Sequence, residues 1–250
     1  MADRIVAVIQ ARCGSARLPG KVLLPLAGQP VLAHVVRAVR SASLVDDVIV
    51  ATTVSPVDDD LVELARHLDV RLHRGPEQDV LQRFVDAVTG DSADVVVRHV
   101  ADAPLVDPAI IDTVIGHYLR GGCDYAASML ERSWPRGVES EVISRQALEQ
   151  SAREGARPED REHVTVFVRS HPERFRLRNV RALPQETWPE LRLTLDTEAD
   201  YRLLQAVFDE LHQPGGVIRI GRVIDWLRER PDLVSLNAHV EQKPVLGRVL

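Results

Sequence analysis

Residues 10–21 read QARCGSARLPGK, and they follow the apolar run Ile5-Val6-Ala7-Val8-Ile9. A short β-rich apolar segment that stops at glycine, proline and clustered cations is the pattern of a parallel strand delivering a loop to the carboxyl edge of a sheet. Ligands bind at that edge, which makes this loop the first candidate site. Arg12, Arg17 and Lys21 supply three cations, Gly14 and Gly20 let the backbone approach an anion, and Pro19 limits the freedom of the loop. The chemistry fits a polyphosphate. It is not a Walker A loop, because Gly20-Lys21 is followed by Val22. On composition alone, a solvated basic turn accounts for the same residues.

Outward from the loop, residues 30–40 carry Val31, Leu32, Val35, Val36 and Val39 at the spacing of an amphipathic helix. His34 lies on its flank as a surface or packing residue. Residues 48–51 read as a second buried strand ending in Thr52-Thr53, and strand, helix, strand within fifty residues implies a right-handed parallel crossover. A helix over 58–67 follows, with Asp58-Asp59-Asp60 at its amino end as capping and solvation. Residues 70–73 form a short strand that ends at Arg74-Gly75, and the next segment enters a helix. Asp79 and Arg83 lie four apart there, the spacing of an i,i+4 ion pair.

Residues 94–100, DVVVRHV, are the most strongly β segment and fit a central parallel strand. Asp102 stands just beyond it, and Asp107 before Pro108 reads as an N-cap. Strands are expected at 123–127, 134–143, 175–180 and 191–195, the second of them partly exposed. Helices are expected over 144–153, 199–211 and 220–230, with Asp200 as a structural first-turn acid.

At 250 residues the chain can bury a sizeable core, and its 45% hydrophobic and 27% charged residues are an ordinary globular balance. A net charge of -6 with no basic block beyond the loop argues against a nucleic-acid binder. The N-terminus has no signal-type apolar region, and no segment approaches the ~20 apolar residues of a membrane span. A cytoplasmic protein is expected. Cys13 and Cys123 are too few for a disulfide framework or a thiolate metal site, and Cys13 reads as a packing residue.

Several strings together carry a family resemblance. QARCGSARLPGK with the following PLAGQPVL resembles the opening of the cytidylyltransferase family that includes the SpsF-type spore-coat polysaccharide proteins, relatives of the synthetases that make CMP-linked acidic sugars. RGPEQDVLQRF, DAPLVDP, PRGVESEV, REHVT and DTEAD resemble later elements of the same family. Ala16, Ala101, Ala103 and Ala199 depart from its usual residues. The resemblance covers nearly the whole chain and implies a single domain over 1–250, with an acceptor lobe over about 123–180. It also implies an α/β, Rossmann-like nucleotidyltransferase (GT-A-like) fold, with a mostly parallel central sheet and helices on both faces.

The activity implied is CTP-dependent transfer of CMP to an acidic sugar, a sugar phosphate or a phosphonate, with release of pyrophosphate. Arg12, Arg17 and Lys21 would grip the phosphates. Gln10, Ala11, Gly14, Ser15, Thr52, Arg74, Gly75, Asp79, Arg83 and Asp102 would complete the nucleotide site. Asp102 and Asp196 are the implied Mg²⁺ carboxylates. Arg136, Glu139 and Glu141 on an exposed strand, facing Arg161 and His163 on a helix, would form a polar wall that reads the acceptor. An internal salt-bridge network is the other account of that wall. No general base stands out.

A homodimer is a further expectation, with the alternating segment 138–143 as its contact. The alternative from another class is a GT-A-type glycosyltransferase that uses a nucleotide sugar. A basic loop directly after the first strand suits a free triphosphate better. A non-catalytic binding protein is a third reading, resting only on the four alanine departures.

Overall fold

The structure is a computed structural model that describes residues 3–242. In chain order the first strand, β1 (Ile5–Gln10), leads through the loop to a small antiparallel hairpin of β2 (Pro25–Leu26) and β3 (Gln29–Pro30). Helix α1 (Val31–Arg40), strand β4 (Asp47–Thr53), helix α2 (Asp59–His67), strand β5 (Arg71–Gly75) and helix α3 (Val80–Val88) follow. Then come the central strand β6 (Val95–Val100), α4 (Pro108–Leu119), β7 (Tyr125–Ala127), β8 (Glu141–Ser144), α5 (Arg145–Glu154), α6 (Pro158–Glu162) and α7 (Val166–Arg169). Strand β9 (Leu177–Asn179), α8 (Glu198–Leu211), α9 (Ile220–Arg228) and α10 (Pro231–Ser235) complete the described elements.

Seven strands form one sheet in the order β5-β4-β1-β6-β8-β7-β9. β8 runs antiparallel to both β6 and β7, and every other neighbouring pair is parallel. The sheet is thus mostly parallel, as expected. The one reversal decides the site: because β8 runs backwards, its first residue, Glu141, lies opposite Arg98 near the carboxyl end of β6. The chain leading into β8 therefore arrives at the same edge as the loop after β1.

Both faces of the sheet are covered. Ile5, Ala7, Ile9, Val95 and Val97 pack in one cluster with residues of α1, α4, α8 and α9, while Val6, Val8, Val96 and Ile143 pack in a second with α3 and α5. The alternation along β1 and β6 feeds both layers, so each reads as a continuous apolar run rather than a half-polar one. A fully buried Val or Leu of this kind contributes ~1.5–3 kcal/mol before conformational entropy is subtracted. His34 packs rather than ligates: it is buried, its Nε2 donates to the Leu26 carbonyl at 2.8 Å, and its ring meets Phe208. No helix among the described residues is long and apolar enough to cross a membrane.

Two expected strands differ. Residues 191–195 form no ladder among the described residues; this segment joins the fold through an isolated bridge between Arg136 and Arg192 and a hydrogen bond from the Leu195 amide to the Asp102 carbonyl. Its alternation is real, but both faces are buried, so no ladder partner is needed to explain it. Residues 134–143 are ordered as a strand only from Glu141, and that strand is interior to the sheet. Val138 and Ile143 are fully buried, which removes 138–143 as the exposed face for a dimer.

Candidate active site

The loop after β1 folds back over the strand end. The Cys13 carbonyl accepts from the amides of Ser15 (2.7 Å) and Gly20 (2.9 Å), while the Cys13 amide donates to Asp58 Oδ1 (2.7 Å). Asp58 is 1% exposed and also accepts from the Thr53 hydroxyl, so it is a buried strut of the loop rather than a solvated cap. Asp59 and Asp60 are exposed in the first turn of α2, as expected of helix-dipole acids. Burial, reinforced by Asp58, pushes the Cys13 thiol up to about 11, which fits packing and not nucleophilic chemistry.

Gly20 adopts φ +67, and the short 3₁₀ turn Lys21–Leu23 that follows turns the lysine inward. Lys21 is 7% exposed; its Nζ donates to Asp196 Oδ1 at 2.8 Å and also to Asp102 Oδ2. On the other oxygen of Asp196, Arg17 Nη2 stands 3.0 Å away and Arg192 Nη2 donates at 2.7 Å. Arg192 in turn donates from Nε to Asp200 Oδ1 at 2.8 Å, and Asn237 donates to the same oxygen. Asp200 is wholly buried and forms a capping box with Thr197 at the start of α8.

Three carboxylates and three cations thus alternate through one cluster. Burial alone would raise the Asp196 carboxyl, but Lys21, Arg17 and Arg192 outweigh it and hold the group below the usual carboxylate range. Burial would likewise lower Lys21, and Asp102 with Asp196 reverses that.

Whether this donor set suits a divalent cation follows from its geometry. Two carboxylates converge on one point that a compact cation, the Lys21 ammonium, already occupies. No group of three or more His, Cys, Asp or Glu side chains is placed to hold a metal among the described residues. Two carboxylates completed by phosphate oxygens and water are the usual Mg²⁺ arrangement in nucleotide sites, so the residues fit that ion.

A cleft of about 790 Å³ runs along this edge. Gln10, Ala11, Arg12, Gly14, Ser15 and Lys21 line it, as do Arg17, Arg83, Asp102 and Asp196. Thr52, Arg74, Gly75 and Asp79 do not. Thr52 is wholly buried in β4, and Arg74 donates to the carbonyls of Thr53 (2.8 Å) and Ser55 (2.9 Å) and pairs with Asp59 (2.9 Å). Arg74 thus braces the turn after β4.

Of the two expected nucleotide-site residues Arg83 lines the cleft and Asp79 does not, and each has a partner more specific than the ion pair their spacing allows. Asp79 caps α3 by accepting from the Gln82 amide at 2.9 Å, and its carboxylate pairs with Arg161. Arg83, 1% exposed, sends Nη1 to the Pro76 carbonyl at 3.0 Å. A Cβ at Gly75 would stand 3.0 Å from Arg83 Cγ, so the glycine makes room for the arginine stem. RGPEQDVLQR therefore acts as a mount that carries Arg83 to the cleft. Burial, then repulsion from Arg12, lowers the Arg83 pKa.

On the far side, Arg136, Glu139, Glu141 and His163 line the cleft, whereas Arg161 does not. Arg161 is held by Asp79 and by the Ala152 carbonyl (2.7 Å), so it serves the scaffold. Glu141 belongs to the floor of the cleft, not to an exposed strand. It is 3% exposed, pairs with Arg98, and accepts from Tyr125 and from the Thr165 hydroxyl at 2.6 Å. Burial opposes its charge, yet Arg98 and Arg169 with these hydroxyls hold it down at about 2. Glu139 pairs with Arg132 and accepts from the Gly137 amide at 2.6 Å.

Four residues of consequence escape a motif reading: Arg98, His99, Arg132 and Arg192. Arg98 joins Glu141 to Gln10, donating to Gln10 Oε1 at 2.9 Å from Nη2. Burial lowers the neighbouring His99 to about 4, and its Nε2 has no partner. The available signal was an arginine and a histidine inside a strand otherwise made of valine. For Arg192 it was the i, i+4, i+8 spacing with Asp196 and Asp200.

The family model described as Cytidylyltransferase matches residues 6–224. The uncharacterized protein MJ1063 of Methanocaldococcus jannaschii is 35% identical over 243 residues, 96% of this chain and 97% of that protein. The spore coat polysaccharide biosynthesis protein SpsF of Bacillus subtilis is 33% identical over 236 residues, 92% of this chain and 97% of that protein. Among solved structures, a cytidylyltransferase from Leptospira borgpetersenii superposes with a TM-score of 0.87 at 26% identity, covering 97% of this chain and 100% of that one.

Proposed function

This chain belongs to the cytidylyltransferase family and is a nucleotidyltransferase, and from that premise we propose that it transfers CMP from CTP to a small anionic acceptor and releases pyrophosphate. The acceptor class is an acidic sugar, a sugar phosphate or a phosphonate. The observation that carries the reading is the convergence of Lys21, Arg17, Asp102 and Asp196 at the carboxyl edge of the sheet. An acceptor oxygen would bond to the α-phosphorus as the bond from that phosphorus to the bridging oxygen breaks, and pyrophosphate leaves with the electron pair.

In this reading Arg12, Arg17 and Lys21 hold the triphosphate, arginine by two oxygens at once and lysine as a point charge. Arg83 adds a buried cation on the nucleotide side. Asp102 and Asp196 would hold Mg²⁺, which when bound shields the phosphate charge that repels an anionic nucleophile. Arg192 keeps Asp196 ionised and aimed. Arg136 and His163 face the acceptor, and Arg98 and Glu141 form the floor beneath it. A phosphate or phosphonate acceptor brings its own charge and needs no base, whereas a sugar hydroxyl would have to lose its proton at this edge.

The test is pyrophosphate release with CTP, ATP, GTP and UTP, with and without Mg²⁺, against sugar acids, sugar phosphates and phosphonates. Release with CTP, Mg²⁺ and one acceptor class is expected. Asp102→Asn should lower kcat by ~100-fold or more, as loss of several kcal/mol of charge stabilisation requires. Turnover within tenfold of the parent would remove Asp102 from the metal site.

A further inference from the structure

The Lys21 ammonium stands where the divalent cation of the proposed reaction would stand. Its nitrogen contacts one oxygen of each carboxylate, the side chain is 9% exposed, and the lysine is fixed by a tight turn after Gly20. Asp196 is divided: Oδ1 faces Lys21, while Oδ2 faces Arg17 and Arg192. Arg192 is itself anchored on buried Asp200, so Asp196 keeps its direction whatever Lys21 does. Only the front of the carboxylate pair is exchangeable.

We infer that Lys21 is a built-in plug for the metal site: in the free enzyme its ammonium occupies the point where Asp102 and Asp196 converge, so the divalent ion enters only together with the nucleotide. The inference rests on the reading of Asp102 and Asp196 as metal carboxylates. Two cations cannot share one contact point, so a bare divalent ion must first expel Lys21 from both carboxylates at once. A triphosphate changes that balance. Its oxygens offer the ammonium a new partner next to the loop, and its own bound ion takes the vacated position.

Lysine suits this exchange because its charge is compact and its stem flexible, whereas a bidentate arginine would be harder to displace.

The consequence is measurable without turnover. If the unplugged state is populated at ~0.1–10% in the free enzyme, the apparent affinity for a bare ion falls by that fraction, ~10- to 1000-fold. Mn²⁺ binding to the full chain is followed by the loss of its free-ion EPR signal, with circular dichroism to confirm folding. Lys21→Met should acquire one CTP-independent Mn²⁺ site at least ~10-fold tighter than the parent's. Lys21→Met combined with Asp196→Asn should lose it. The melting temperature of Lys21→Met should rise with Mn²⁺ alone, and that of the parent only with Mn²⁺ and CTP together. Lys21→Gln serves if the methionine variant does not fold.

Equal Mn²⁺ affinity in parent and Lys21→Met, abolished in both by Asp196→Asn, overturns the plug and leaves the carboxylate metal site standing. A lysine variant that folds and gains no site overturns it too. If CTP recruits Mn²⁺ equally to the parent and to Asp196→Asn, the carboxylate reading fails and the plug with it.

Discussion

Replacing Gly137 by alanine tests how the segment before β8 is locked to the segment before Asp196. Gly137 has φ +101, and a Cβ built on it would lie 2.6 Å from the Leu193 carbonyl carbon and the Thr194 amide nitrogen. Both neighbours are backbone, and that backbone is itself fixed: the Leu193 amide donates to the Arg136 carbonyl and the Leu195 amide to the Asp102 carbonyl. Neither strand can give without breaking a hydrogen bond. The left-handed conformation costs alanine ~1–2 kcal/mol, and forcing a methyl into a filled crossing costs ~1–3 kcal/mol more.

Gly137→Ala should therefore lose ~2–5 kcal/mol, a large part of the ~5–15 kcal/mol that holds such a domain. Gly28→Ala is the control, because Gly28 has φ +76 with nothing within 4 Å; it should lose only the conformational ~1–2 kcal/mol. Urea denaturation of both variants isolates the crossing. If Gly137→Ala is no less stable than Gly28→Ala, the contact between residues 137 and 193–194 is not the lock described.

Buried His34 and His99 are both held down at about 4 by burial, against 6.5 when exposed. The unfolded chain thus takes up protons that the folded chain refuses, so stability should fall as pH drops from about 6.5 towards 4, by ~2 kcal/mol per histidine at pH 5. Urea midpoints that do not move between pH 7.5 and 5 would refute this, and His99→Val should reduce the slope. Glu141 acts lower down: held at about 2 against 4.5, it stabilises the fold above 4.5, and that contribution is lost as pH falls towards 2. Arg192→Met leaves buried Asp200 without its ion pair and should cost ~3–5 kcal/mol by urea denaturation; a loss under 1 kcal/mol would mean the arginine is not its support.

The legible parts were those in which one local rule acts. The run from Ile5 to Ile9, the stripe of α1 and the valines of β6 announce their elements because apolar spacing and burial agree. The loop cations were legible as chemistry, and their place followed from the strand before them. The polar groups were harder, since alternation does not say which side is water. Glu139 and Glu141 alternate with Val138, Ser140 and Val142 as an exposed strand would, yet they face an internal cleft and find Arg132 and Arg98 there. Asp58 looked like its two neighbours, but the loop's need for an acceptor beneath Cys13 buries it. Arg161 and Asp79 sit in strings that resemble a family, and in the structure they pair with each other without lining the cleft.

Lys21 meets Asp102 across 81 positions of sequence and Asp196 across 175. At a synthesis rate of ~5–20 residues per second, Asp196 leaves the ribosome roughly 10–35 s after Lys21. A nascent chain thus passes through a stage in which β1, β4, β5 and β6 can already form a parallel sheet, with Lys21 neutralising Asp102 alone. A product cut short before residue 196 carries the loop and Asp102 without Asp196 and Asp200. The charge cluster around Lys21 therefore closes only once Asp196 and Asp200 have emerged, well after the loop and Asp102.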